Sequence, residues 1–230
     1  MNNFKKTFFL TLFIATFSLI SCENEPTDMK PAENSTGDYW PTAIDNQWVL
    51  NQNGTDITMK IISSENTNGG TYYKFNQMAG MNESLSADAS VWLKKNKGDY
   101  YIKMDDITID LGEIKGVMTG YEFIILKDYL EVNETWSGTY SQTTTYNLEG
   151  VPAIKTTVNY KGTILEKGNS LVVNGTTYTN VIKFRIHQEV TMLNQPASSV
   201  DADYWVSKNV GIIKMSSGGS DTQLVSYIVK

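Results

Sequence analysis

The sequence is poor in the residues that most site chemistries need. Its 230 residues hold one Cys, one His and a single Arg, Arg185. That scarcity excludes a disulfide framework and a Cys/His zinc site. Cationic clusters are missing as well: 19 Lys+Arg stand against 25 Asp+Glu, for a formal net charge of −6. Nucleic acid is excluded as a partner, because phosphate binding requires grouped Lys and Arg. Proline is scarce, and all five prolines fall outside segments of strand pattern, as ladder hydrogen bonding requires. Gly-x-Ser-x-Gly, phosphate-loop and dinucleotide fingerprints are absent, so no cofactor is implied. What remains, 40% hydrophobic and 19% charged residues, is the composition of a folded chain rather than a disordered one.

Residues 1–21 read as an address. Lys5 and Lys6 precede an uncharged apolar run, Thr7–Ile20, that is too short to span a ~30 Å hydrocarbon core but has the length of a signal-peptide core. It ends in Leu19-Ile20-Ser21-Cys22, with the chain's one cysteine last. This resembles a bacterial lipobox, which implies cleavage before Cys22, a diacylglyceryl thioether on its sulfur and an acylated (palmitate-type) amine. Several buried acyl chains make a stable membrane anchor. Removing 1–21 takes away two lysines and no acid, leaving 17 basic against 25 acidic side chains, or −8. Five of the eight Phe leave with it, so Tyr and Trp dominate the remaining aromatics. Residues 22–38 then form the lipidated Cys and a flexible, unpaired acidic tether with two Pro and five acids.

From Tyr39 to Lys230 the dominant period is two. Ile57, Met59 and Ile61 alternate with Thr58 and Lys60, and Ile182, Phe184 and Ile186 oppose Lys183, Arg185 and His187. Such alternation marks half-buried antiparallel strands. Asn53-Gly54 and Asn174-Gly175 are type I′ hairpin signals, because both central residues need positive φ. The pattern predicts strands from 47 to 229, including 153–166, a separate 171–173 and a long 177–193, with none between 111 and 121. Short helical turns are expected at most in 79–90 and 127–134. The long strands favour one strongly curved antiparallel sheet, a half-barrel or partly open barrel, in a single all-β domain over 39–230. The last strand, apolar on both faces, is expected to be central or covered.

Three segments resemble the pattern of Bacteroidetes outer-membrane lipoproteins of unassigned function: Tyr39–Leu50 (YWPTAIDNQWVL), Val173–Lys183 (VNGTTYTNVIK) and Tyr204–Lys214 (YWVSKNVGIIK). The resemblance spans the whole mature region. It implies a curved sheet of the LolA/LppX half-barrel kind and residence in the cell envelope, with no catalytic residue carried over. Asp45 and Asn209 stand where that pattern has Gly. Both tolerate the left-handed conformation, so both turns are expected to survive.

The chemistry-bearing residues are few. His187 falls on a polar strand face with no Ser/Asp partner motif, so general-base chemistry is not indicated. Asp105, Asp106, Asp110 and Glu113 lack the spacing of an EF-hand, and no metal is assigned. The sequence thus points away from an enzyme. It points toward a lipoprotein that binds a hydrophobic or amphiphilic ligand on a concave sheet face, or that serves an envelope complex. The candidate lining is Ile57, Met59, Ile61, Tyr100, Ile102 and Met104, together with Val158, Tyr160, Ile182, Phe184 and Ile186; the same residues also suit a filled core. The alternatives are a surface glycan binder using exposed Tyr72, Tyr73, Trp92, Tyr101, Trp136 or Tyr140, and a scaffold. Ligand identity, membrane face and oligomeric state stay open.

Overall fold

The computed structural model describes residues 31–79 and 89–230. The signal segment expected over 1–21 and Cys22 lie outside the described residues, as does most of 79–90.

Among the described residues the chain is all β, with fourteen strands and no helix. They are β1 (Gln47–Gln52), β2 (Thr55–Thr67), β3 (Gly70–Phe75), β4 (Val91–Asn96), β5 (Asp99–Met104), β6 (Ile107–Leu111) and β7 (Ile114–Met118). The series continues with β8 (Tyr121–Lys127), β9 (Thr135–Tyr146), β10 (Ile154–Val173), β11 (Thr176–Met192), β12 (Ser198–Ser207), β13 (Gly211–Ser217) and β14 (Ser220–Ile228). They form one antiparallel sheet in the order β6-β7-β9-β10-β11-β12-β13-β14-β1-β2-β3-β4-β5-β8, with its two ends not joined by a ladder.

The hairpin chemistry works as the residues dictate. Asn53 and Gly54, and Asn174 and Gly175, all have positive φ. Asp45 (φ 71°) and Asn209 (φ 61°) adopt the left-handed conformation in place of glycine. Three differences from the sequence reading stand out. The strands 153–166 and 171–173 are one strand, β10, carried through by three bulges between Ile164 and Leu171. Bulges scramble the period of two, so the pattern lapses there while pairing continues. β7 was hidden because Gly116 sits at its centre, where its absent side chain lets the Tyr146 ring approach. Residues 128–134 form turns rather than a helical segment.

β14 is central, between β13 and β1, and the Lys230 N–H donates to the buried Asn46 Oδ1 at 2.9 Å, which fastens the C-terminus. It is not covered: Val225, Tyr227 and Ile228 remain exposed.

Curvature wraps the inner face around one main core. Leu50, Met59, Ile61, Leu93, Ile164, Ile182 and Phe184 have no accessible surface. Trp40 and Trp48 plug one end, both tilted against Phe75 at 6.1 and 6.3 Å. The Trp48 indole donates to the Val210 carbonyl at 2.6 Å, which satisfies its polar atom at full burial.

The same curvature brings β8 against β9. β7 pairs β9 only at Thr144–Tyr146, so much of β9 has no strand on that side. Side chains close this seam. The Trp136 indole donates to the Ile124 carbonyl at 2.9 Å, and the Ile124 N–H donates to the Tyr160 hydroxyl at 3.3 Å. Each of the two rings lies over a glycine directly opposite it in the β9–β10 ladder, Trp136 over Gly162 and Tyr160 over Gly138. A Cβ on Gly162 would stand 2.0 Å from the Trp136 ring.

The end of the tether is not free. Asp128 accepts from the Ser35 hydroxyl, from the Thr36 N–H at 3.0 Å and from the Tyr100 hydroxyl at 3.1 Å. The Gly98 N–H donates to the Glu33 carbonyl at 2.9 Å, and the Asn209 N–H to the Asp38 carbonyl. Residues 31–38 therefore belong to the folded body, a correction to the unpaired segment expected over 22–38. Composition concealed this: Ser, Thr, Gly and Asp suit a linker, and here their polar groups meet a buried carboxylate instead. Burial pushes that Asp128 carboxyl above the ordinary carboxylate range.

Candidate functional site: a cleft between the two arms of the sheet

One cleft of about 370 Å³ enters between β8–β9 on one side and β12–β14 on the other. Its floor is apolar and buried: Trp40, Ile102, Phe123, Ile125, Ile212 and Met215. Its rim is polar and uncharged, formed by Gln52, Ser216, Ser217, Ser220 and Thr222 at the β1–β2 and β13–β14 turns. Between them stand Tyr121, Tyr140, Tyr204 and Gln188. No ionised side chain lines it among the described residues. This volume lies in the range of small-molecule pockets, which pair apolar walls with a few placed polar groups.

The strands explain the arrangement. Phe184, Ile186 and Gln188 point inward in succession on β11, so the apolar inner face turns polar toward the rim. On β12 the inward series runs Val206, Tyr204, Ala202, Val200, and the small Ala202 leaves room. The opposite ends of these strands adjoin residues 31–38, so the rim and the N-terminal segment sit at opposite ends of the body.

Of the eleven lining candidates read from the sequence, Ile102 alone is in the cleft wall. Met59, Ile61, Tyr100, Tyr160, Ile182, Phe184 and Ile186 are packed in the main core, and Val158 is likewise buried. Ile57 is half-buried against the core, and Met104 packs with Ala89 and Ile107 in a small separate cluster. Alternation finds the inward face but not the place where two arms of a curved sheet stand apart.

The rings considered for sugar stacking are not free platforms. Trp92 and Trp136 are buried, and Tyr73 packs on the core. Lys94 lies over the rings of Tyr72 and Tyr101 at 4.8 and 4.2 Å, and Lys103 over Tyr72 at 5.4 Å. Such cation–π contacts occupy the faces a sugar would need. Tyr140 lies in the cleft, stacked on Tyr121 at 4.5 Å.

His187 lies on the outer face, 2.7 Å from Asp201 and outside the cleft. The Asp201 carboxylate holds its pKa above the ordinary imidazole value. The acids considered for calcium have other partners: Asp105 accepts from the Trp92 indole and pairs with Lys103, Asp106 accepts from the Gly120 N–H, and Asp110 pairs with Lys115.

With that geometry in view, the fold has parallels among solved structures. A protein from Parabacteroides distasonis ATCC 8503 described as a lipoprotein superposes with a TM-score of 0.50 at 11% identity, over 85% of this chain and 100% of its own. A protein from Bacteroides fragilis NCTC 9343, described as exported and with a YmcC-like fold, gives 0.43 at 9% identity, over 82% and 98%. No family model and no curated protein matches the chain. At 11% identity the first likeness speaks for a shared fold.

Proposed function

We propose that this protein is a non-enzymatic lipoprotein of the cell envelope, held in the outer membrane by an acylated Cys22, whose cleft binds a hydrophobic or amphiphilic ligand. The observation that carries the reading is the cleft: an apolar floor, a neutral polar rim and a volume of about 370 Å³. The lipobox-like Leu19–Cys22 supports the anchor, and the open curved sheet is in keeping with the LolA/LppX-type resemblance. Eight residues, 23–30, separate the acylated Cys22 from Pro31. Fully extended they reach at most ~30 Å, so an anchor on Cys22 implies a membrane at the end of the body opposite the cleft rim.

Two results test the reading. Native mass spectrometry of the chain from residue 23 onward, exported to a bacterial periplasm, is expected to reveal an adduct of lipid mass. Ala202→Trp, which fills the cleft, removes it. A clean mass after lipid is offered sinks the binding reading. Separately, Cys22→Ala is expected to move the protein from the membrane fraction to the soluble one. Continued pelleting with the outer membrane would refute the anchor.

A further inference from the structure

Three tyrosines line the cleft. Tyr121 and Tyr140 stack at 4.5 Å and 15°, reaching across from β8 to β9. Tyr204 enters from β12, held flat on Phe184 at 5.1 Å and 10°. The Gln188 amide donates to the Tyr140 hydroxyl at 3.2 Å. The hydroxyls of Tyr121 and Tyr204 have no hydrogen-bond partner among the described residues. A phenol offers one donor and two acceptor lone pairs, and both residues are half-buried in the cleft wall, where these hydroxyls can bond water or a ligand.

We propose that Tyr121, Tyr140 and Tyr204, with Gln188, form a polar station that receives the uncharged oxygen-bearing linkage of a neutral amphiphile, an ester, amide or alcohol, while its hydrocarbon lies on the apolar floor. The inference rests on the cleft being a ligand site and adds the class of ligand. Neutrality follows from the surroundings. The lining holds no Lys or Arg to compensate a carboxylate or phosphate. An unpaired charge in such a place is far more costly than an unpaired hydroxyl. The medium already disfavours charge on the station itself: burial pushes the Tyr204 phenol up to about 12 and raises that of Tyr121. Both phenols stay protonated and able to donate.

The test compares two probes of equal chain length, 1-monooleoylglycerol and oleate, at about pH 8.5, where oleate is ionised. Binding to the chain from residue 23 onward is read by displacement of a fluorescent fatty-alcohol probe. The neutral lipid is expected to bind about tenfold more tightly than oleate. Tyr121→Phe/Tyr204→Phe, which keeps both rings, is expected to weaken binding of the neutral lipid about tenfold. Equal binding of both lipids by the native protein overturns the station, as does a double variant that holds the neutral lipid as tightly as the native protein does. In either case the cleft reading stands. Failure of both lipids and the probe to bind overturns the cleft reading itself.

Discussion

Gly162→Ala is expected to destabilise the protein by about 3–5 kcal/mol. Two costs combine. The new Cβ would stand 2.0 Å from the Trp136 ring, so the ring must leave its place over the β9–β10 ladder. Overpacking of this kind costs about 1–3 kcal/mol. The displaced indole also gives up its bond to the Ile124 carbonyl, and an unpaired buried donor and acceptor add about 1–3 kcal/mol. For a chain of this size the melting temperature falls by roughly 10 °C. Thermal unfolding monitored by near-UV circular dichroism reads it directly. A double-mutant cycle with Trp136→Leu isolates the cause, because a smaller side chain at 136 relieves the collision. If Gly162→Ala costs as much beside Leu as beside Trp, the seam is not held as described. The point reaches the function, since Tyr140 on β9 and Tyr121 on β8 face the cleft across this seam.

Lys127→Met is expected to cost about as much for a different reason. Lys127 and Asp99 close the β5–β8 ladder, and both side chains are only 3% exposed. The ammonium donates to both Asp99 oxygens at 3.1 and 3.0 Å and to the Tyr129 hydroxyl at 2.9 Å. Removing one partner strands the other charge in the interior, which costs about 3–5 kcal/mol. Removing both does not: Asp99→Leu/Lys127→Met is expected near native stability, because desolvation largely cancels the attraction within a buried pair. Urea unfolding of the two single variants and the double variant decides it. A double variant as unstable as the singles together would mean that the pair contributes in its own right. A second readout follows from position. Asp128 and Tyr129 border residues 31–38, and the Gly98 N–H that holds the Glu33 carbonyl adjoins Asp99. Lys127→Met should therefore expose 31–38 to protease before the sheet itself unfolds, which mass analysis of early cleavage products detects.

Most of the sheet was legible because its determinants are local. Alternation of apolar and polar residues needs nothing beyond neighbouring positions, and the hairpins at Asn53-Gly54 and Asn174-Gly175 depend on what two residues do to φ. Asp45 and Asn209 kept their turns for the same reason. What locality hides was missed: β7 behind Gly116, the bulged course of β10, and the docking of 31–38 on Asp128, which lies more than ninety positions away in the chain.

The sequence by itself determined that the chain is all β and that most strands have one apolar face, and its Leu19–Cys22 run is what the proposed anchor rests on. These follow from composition, period two and turn chemistry. Only the tertiary structure decided which inward residues are sealed and which are left open. Ile186 and Gln188 are neighbours on one face of β11, yet the first is core and the second lines the cleft. The difference is set by how far the curved sheet brings β8 and β9 toward β12, a distance produced by fourteen strands together and written in none of them.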